Sequence, residues 1–160
     1  MKPARHPTAL RVAQLLRDAG VEAQVVEFDQ PTRTSAEAAA ALGCEVAEIA
    51  KSIVLRGAAS GQAVIVVASG ANRVSESKVA AQVGEPLARA DAEFVRTATG
   101  YAIGGVAPIG HATAVKILLD EDIRRFATVW AAGGTPYSVF PLEPDELRRI
   151  TGAEWSDVKA

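Results

Sequence analysis

The segment Thr99-Gly-Tyr-Ala-Ile-Gly-Gly-Val-Ala-Pro-Ile-Gly-His111 holds four glycines and one proline in thirteen residues, and the residues between them are mostly apolar. Glycine permits positive φ and lets backbone come close to a ligand, while proline fixes φ and removes a donor. An ordinary surface turn would draw on Asp, Asn and Ser. Apolar residues between glycines instead pin a loop against a core and leave backbone N–H and C=O groups free, which suits the holding of a small polar group such as an ester carbonyl. A tight connection between two buried strands fits the same composition equally well. Lys51 is the second residue of interest. Alternation along Ile49-Ala-Lys-Ser-Ile-Val-Leu-Arg56 places it on the strand face of Ile49, Ile53 and Leu55, and lysine is rarely buried without a partner. Its ammonium either snorkels at a strand end or stands at a pocket rim to meet a carbonyl oxygen or phosphate.

The other reactive residue types form no familiar constellation. His111 has only His6 to join it, and the His and Cys content offers no ligand set, so no metal site is expected. Cys44 is the only cysteine. It excludes an intramolecular disulfide and, standing at a helix end without a nearby histidine, reads as an inert thiol. There is no Gly-x-Ser-x-Gly elbow. The run Gly70-Ala-Asn-Arg-Val-Ser-Glu-Ser-Lys78 lacks the glycine that precedes a P-loop lysine, and Gly100 to Gly105 departs from the dinucleotide fingerprint. Arg73, Lys78, Arg89 and Arg96 make either a basic rim or a solvated helix surface.

These residues need a scaffold, and the punctuation of the chain outlines one. Thr8 is a plausible N-cap for a helix that Gly20 stops; Thr34 or Ser35 caps an alanine-rich helix ending at Gly43. Further helices run from Ser75 or Ser77 to Val83, from Asp91 to about Ala98, and from Glu143-Pro144 to Gly152. A short helical piece covers Asp120 to Phe126. Strands are expected at Ala23 to Phe28, Ile49 to Arg56, Ala63 to Ala68, Pro86 to Ala88, Val115 to Leu119, Ala127 to Ala131 and Tyr137 to Leu142. Ala63 to Ala68 is apolar on both faces and reads as central. Several strands have only short connections. The expected fold class is therefore α+β, a mixed, mostly antiparallel, barrel-like sheet with flanking helices.

The 160 residues fit one domain spanning 1–160, with 49% hydrophobic residues to build its core but only 5% aromatic. A net charge of −2 and a pI near 5.7 argue against a protein that coats nucleic acid. No leader-like or membrane-length apolar run is present, so a cytoplasmic location is expected.

Read together, Ala50-Lys51-Ser52, Val66-Val67-Ala68-Ser69-Gly70, Lys78-Val79-Ala80, Thr99-Gly100-Tyr101 and above all Gly104-Gly105-Val106-Ala107-Pro108-Ile109-Gly110 resemble the YbaK/ProX family. These are freestanding aminoacyl-tRNA deacylases related to the editing domain of bacterial prolyl-tRNA synthetase. The resemblance runs in one register from about Thr8 to Gly152. It implies a barrel-like sheet with flanking helices and hydrolysis of the ester that joins a wrong amino acid to a tRNA 3′ end, without cofactor or metal. It implies that Lys51 is the catalytic lysine. The substrate-binding candidates are Gly104, Gly105, Val106, Ala107, Pro108, Ile109, Gly110 and His111, together with Gly133 and Gly134. Arg73 and Lys78 are candidate tRNA contacts. The implied partner is the 3′ end of an aminoacyl-tRNA of the proline type carrying a small wrong amino acid, and prolyl-tRNA synthetase or an elongation factor are further candidates. Where the cysteine-specific branch carries Gly-Gly-Lys-Arg-Gly-Leu-Asp, this chain has Gly133-Gly-Thr-Pro-Tyr-Ser-Val139 and lacks the acid. Alanine, serine, threonine and non-protein amino acids thus stay open as the residue removed. With no obvious general base in the sequence, a substrate-assisted attack of water on the ester is expected. The alternative is a noncatalytic nucleic-acid-binding module, which the acidic pI and scarce aromatics disfavour.

Overall fold

A computed structural model describes residues 1–160. Its helices begin and end where the local chemistry dictates. Helix α1 (Pro7–Asp18) opens on Pro7, and its N-cap is His6, whose Nδ1 accepts from the Thr8 amide at 3.1 Å. The cap expected at Thr8 thus moves two residues earlier, because proline supplies the first helical φ and has no N–H to satisfy. Thr34, Ser75 and Asp91 each accept a hydrogen bond from the backbone N–H three residues on, capping α2 (Ser35–Leu42), α3 (Glu76–Val83) and α4 (Ala92–Thr99). Glu143 and Glu146 form a reciprocal capping box on α5 (Pro144–Thr151).

The strands form one nine-stranded sheet. They are β1 (Lys2–Pro3), β2 (Val26–Glu27), β3 (Ile49–Gly57), β4 (Ala63–Ser69), β5 (Leu87–Arg89), β6 (Lys116–Asp120), β7 (Val129–Ala132), β8 (Ser138–Leu142) and β9 (Trp155–Ser156). The order is β1-β2-β8-β7-β3-β4-β6-β9, with β5 added beside the end of β3. The pairs β1–β2, β2–β8, β7–β8, β3–β4 and β3–β5 are antiparallel, and β3–β7, β4–β6 and β6–β9 are parallel. The sheet is therefore mixed and mostly antiparallel, as expected, and its path ends openly at β1 and β9. The strand expected over Ala23 to Phe28 shrinks to Val26–Glu27, since the neighbouring pairs reach only Lys2–Pro3 on one side and Ser138–Val139 on the other.

Strand β4 lies between β3 and β6 and is buried along its whole length. Ile65 and Val67 face the main core with Ala50, Leu16, Tyr101, Phe140 and Leu147, while Val64, Val66 and Ala68 join Leu55 and Val79 on the opposite face. A third cluster, Phe28, Ala38, Ala39, Ile49 and Val139, sits under α2. Lys51 belongs to the face between these two smaller clusters, with Ile49 on one side and Ile53 and Leu55 on the other.

Candidate functional site

Where α2, β3, β7, β8 and the glycine segment converge, they enclose a cavity of about 370 Å³. Its floor and walls are largely apolar, from Ala38, Ile49, Ile53, Trp130, Ala131 and Val139. Lys51 and Arg33 bring positive charge to it, and Ser35, Ser52, Thr135 and Ser138 bring hydroxyls. The glycine segment contributes Gly104 and Val106. No Asp, Glu, His or Cys lines this cavity.

Lys51 is half-buried, and its Nζ donates to the Asn72 carbonyl at 2.7 Å. Burial pushes its pKa down, and the Asp120 carboxylate opposes that shift. The same side chain forms part of the wall of a second, more open groove of about 610 Å³, shared with Ile53, Leu55, Ala71, Asn72, Arg73, Val74 and Glu76. Lys51 therefore stands between the two concavities.

The glycine segment divides into two halves with different tasks. Gly104 takes φ +86°, in the left-handed region that favours glycine. At Gly105 a Cβ would lie 2.5 Å from the Thr135 carbonyl carbon and 2.8 Å from the Pro136 nitrogen, so this glycine lets the segment press against the late loop, residues 133–137 between β7 and β8. The amide N–H groups of Gly104 and Val106 find no acceptor within the protein, although Val106 is only 3% exposed. Unpaired N–H groups at buried positions are rare in folded proteins. Ala107 and Pro108 are buried behind them. Beyond Pro108 the chain turns to α1: Arg11 donates to the Gly110 carbonyl at 3.0 Å, and the Tyr101 hydroxyl donates to that of Ile109 at 2.5 Å. His111 Nε2 lies 2.7 Å from the Ala107 carbonyl, which can only accept, so Nε2 carries the proton. Burial lowers the His111 pKa and keeps the ring neutral, edge-on to Tyr101. Gly110 thus ties the loop to α1 through Arg11, Ile109 and His111 are held by Tyr101 and Ala107 of the segment itself, and all three stay off the cavity lining.

Gly133 and Gly134 open the late loop and are buried, against Val25 and Ser138 and against Thr8 and Val12 of α1. Thr135 Oγ1 and Ser138 Oγ lie 2.6 Å apart and close this side of the cavity. Of the basic candidates, Arg73 lies in the second groove with its guanidinium exposed and unpaired. Lys78 is bound to Asp157 at 2.9 Å and to the Lys159 carbonyl at 2.8 Å. Cys44 packs by the cluster under α2, where burial first and the Glu48 charge second raise its thiol pKa. No group of three or more His, Cys, Asp or Glu residues could hold a metal ion.

Sequence reasoning missed the support of Lys51. Asn72 Nδ2 donates to Asp120 Oδ2 and to Asp122 Oδ2, both at 2.8 Å. Asp120 is 1% exposed at the end of β6. An acid closing the expected strand Val115 to Leu119 was the available signal. Nothing in the sequence ties it to Asn72, which lies 48 residues away.

A family model for an aminoacyl-tRNA editing domain matches residues 29–150. The uncharacterized protein YwhH of Bacillus subtilis is 33% identical over 138 residues, 86% of this chain and 87% of that protein. A proline–tRNA ligase of Limosilactobacillus fermentum is 34% identical over 110 residues, 66% of this chain but only 19% of the ligase. Among solved structures, one described provisionally as a trans-editing enzyme for prolyl tRNA synthetase aligns with a TM-score of 0.92 at 45% identity, covering 98% of this chain and 99% of that one. No helix is long and apolar enough to cross a membrane.

Proposed function

The chain belongs to the aminoacyl-tRNA editing domain family, and from this premise we propose that it is a trans-editing deacylase. Its substrate in this reading is a tRNA of the proline type, mischarged with a small amino acid. The supporting observation is the cavity in which Lys51 and the unpaired amides of Gly104 and Val106 border one apolar chamber. A volume of about 370 Å³ suits a small aminoacyl group with part of the terminal ribose. The relation to prolyl-tRNA synthetase is supported by the similarity to a proline–tRNA ligase and to the structure described as a trans-editing enzyme.

The chemistry follows from what the lining offers. The Lys51 ammonium and the two amides are donors without acceptors of their own in the cavity, suited to an ester carbonyl that becomes an oxyanion. Water attacks the carbonyl carbon; its oxygen forms the new bond, and the carbonyl electron pair moves onto the oxygen held by these donors. Collapse breaks the bond to the ribose oxygen, which leaves as a hydroxyl and releases the free amino acid. The cavity lining contains no carboxylate, imidazole or thiol to take the proton from water. The neighbouring hydroxyl of the terminal ribose relays it to the departing oxygen, a substrate-assisted route. Arg73, exposed in the adjoining groove, contacts the phosphates of the acceptor strand. Lys78, already paired, contributes less.

A deacylation screen tests the reading. Purified protein is incubated with tRNA(Pro) charged with alanine, serine, threonine, cysteine or proline, and ester loss is followed over time. Rapid loss of one or more small mischarged amino acids, with prolyl-tRNA spared, is expected. Binding of uncharged tRNA or duplex DNA without ester loss would replace the hydrolase with a noncatalytic binding module.

A further inference from the structure

We propose that Asp120 and Asn72 are positioning residues for Lys51: the buried Asp120 carboxylate clamps the Asn72 side chain, and the Asn72 carbonyl thereby holds the ammonium between the cavity and the groove. The assignment of a catalytic task to Lys51 rests on the reading above; the clamp itself does not.

Asp120 is 1% exposed and stands at the end of β6, which pairs with central β4. Its Oδ2 accepts from the Ser69 amide at 3.0 Å and from Asn72 Nδ2 at 2.8 Å, and its Oδ1 accepts from the Asp122 amide at 3.0 Å. Every partner is an N–H donor, as an ionised, acceptor-only carboxylate requires. A charge withdrawn this far from water is costly unless it is hydrogen-bonded and has a counter-charge. No cation touches Asp120 directly; Lys51 is the cation whose pKa responds to it. Asn72 connects the two. Both protons of its amide are taken by carboxylates, Asp120 and Asp122, which fixes the amide orientation and with it the turn after β4. The carbonyl of that same residue takes one proton of the Lys51 ammonium at 2.7 Å, leaving two to meet a substrate.

The arrangement sets both place and charge. Around Lys51, Arg33 lines the cavity side, Arg73 and Glu76 line the groove side, Asp120 lies behind, and Asp122, paired with Lys159, lies beyond Asn72. Partial burial disfavours the protonated form of the ammonium, and Asp120 is the buried charge that counters it.

The experiment follows the Lys51 titration by NMR in protein carrying 13C-labelled lysine, with the signal assigned through Lys51→Arg, alongside single-turnover ester hydrolysis against pH. Asp120→Asn keeps the shape and removes the charge. The Lys51 midpoint is expected to move to lower pH, and the alkaline limb of hydrolysis to move with it. Asn72→Ala keeps the charge and cuts the clamp. Hydrolysis is expected to fall between about tenfold and a hundredfold, the scale for misplacing a reacting group by about an ångström, with the midpoint little changed. A folded Asp120→Asn protein with an unmoved Lys51 midpoint would overturn the electrostatic part. A folded Asn72→Ala protein with the wild-type rate would overturn the positioning part, and this variant suffices if Asp120→Asn fails to fold. The titration needs no substrate, so a wild-type protein without deacylase activity would sink the proposed function while leaving the clamp to be judged by the midpoint alone.

Discussion

An ammonium partly withdrawn from water gives up its proton more readily than one in solvent. Burial is the larger influence on Lys51, so it titrates below the ordinary lysine range. As a donor it works only while protonated, and deacylation is expected to decline as pH rises through this lowered value. The sign for stability is opposite to that of a cation that gains a partner. Between the lowered native pKa and the ordinary unfolded one, the unfolded chain binds more protons. The cost of keeping Lys51 charged is fully present below that window and fades as pH rises through it. Urea titrations of the wild type and Lys51→Met from neutral to alkaline pH should show the wild type gaining relative to the variant; a constant difference would contradict the lowered pKa. Cys44 provides a second test at this scale. Its thiol lies outside the cavity and its pKa is raised, so thiolate is scarce at neutral pH. Cys44→Ala should therefore keep full deacylation, and loss of activity with the fold intact would put the thiol into the mechanism.

The glycine segment acts as one element with two ends, and substitutions should separate them. At Gly110, φ is +78° and a Cβ would meet Leu15 Cδ1 at 2.4 Å, so alanine strains the anchor on α1. At Gly105 the obstacle is the backbone of Thr135 and Pro136, which cannot step aside as a side-chain end can. Gly110→Ala should cost on the order of 1–3 kcal/mol in stability while the folded fraction keeps its hydrolysis rate. Gly105→Ala should lower the rate even where it folds, because the loop must retreat from the late loop and carry Gly104 and Val106 with it. Thermal melts and single-turnover rates on the same samples decide; a Gly105→Ala protein at wild-type rate would contradict this division. Much of the element level was legible in the sequence. Thr34, Ser75 and Asp91 cap their helices by local chemistry, and Gly43, Gly84 and Gly152 end theirs in the left-handed conformation. The double-faced apolarity of Ala63 to Ala68 marked the central strand. What stayed hidden depends on contacts distant in sequence. Strands β1 and β9 are two residues each and exist only through their partners. The clamp on Lys51 joins β3, the turn after β4 and the end of β6, and no local pattern encodes that meeting. The glycine motif was visible, but which of its amides stay unpaired depends on how its second half docks on α1.

At the scale of the whole molecule, a net charge of −2 must coexist with binding to a polyanion. Arg33 lines the cavity and Arg73 the groove, so few phosphates are met and RNA binding should fall only gently with salt, with a log–log slope of about −1 to −2. With no cluster of potential metal ligands, hydrolysis should survive exhaustive chelation by EDTA; inactivation reversed only by zinc would reveal a site formed with the substrate. In the proposed mechanism the wall shared by cavity and groove carries the chemistry through Lys51. Its most direct test is single-turnover hydrolysis of mischarged tRNA(Pro) by wild type and Lys51→Ala, with circular dichroism on the same samples. The expected result is a folded Lys51→Ala protein whose rate falls by roughly a hundredfold or more, the scale for losing one oxyanion donor, and only partial recovery in Lys51→Arg, whose planar fork replaces a compact ammonium. A folded Lys51→Ala protein that hydrolyses the ester at near wild-type rate would contradict it.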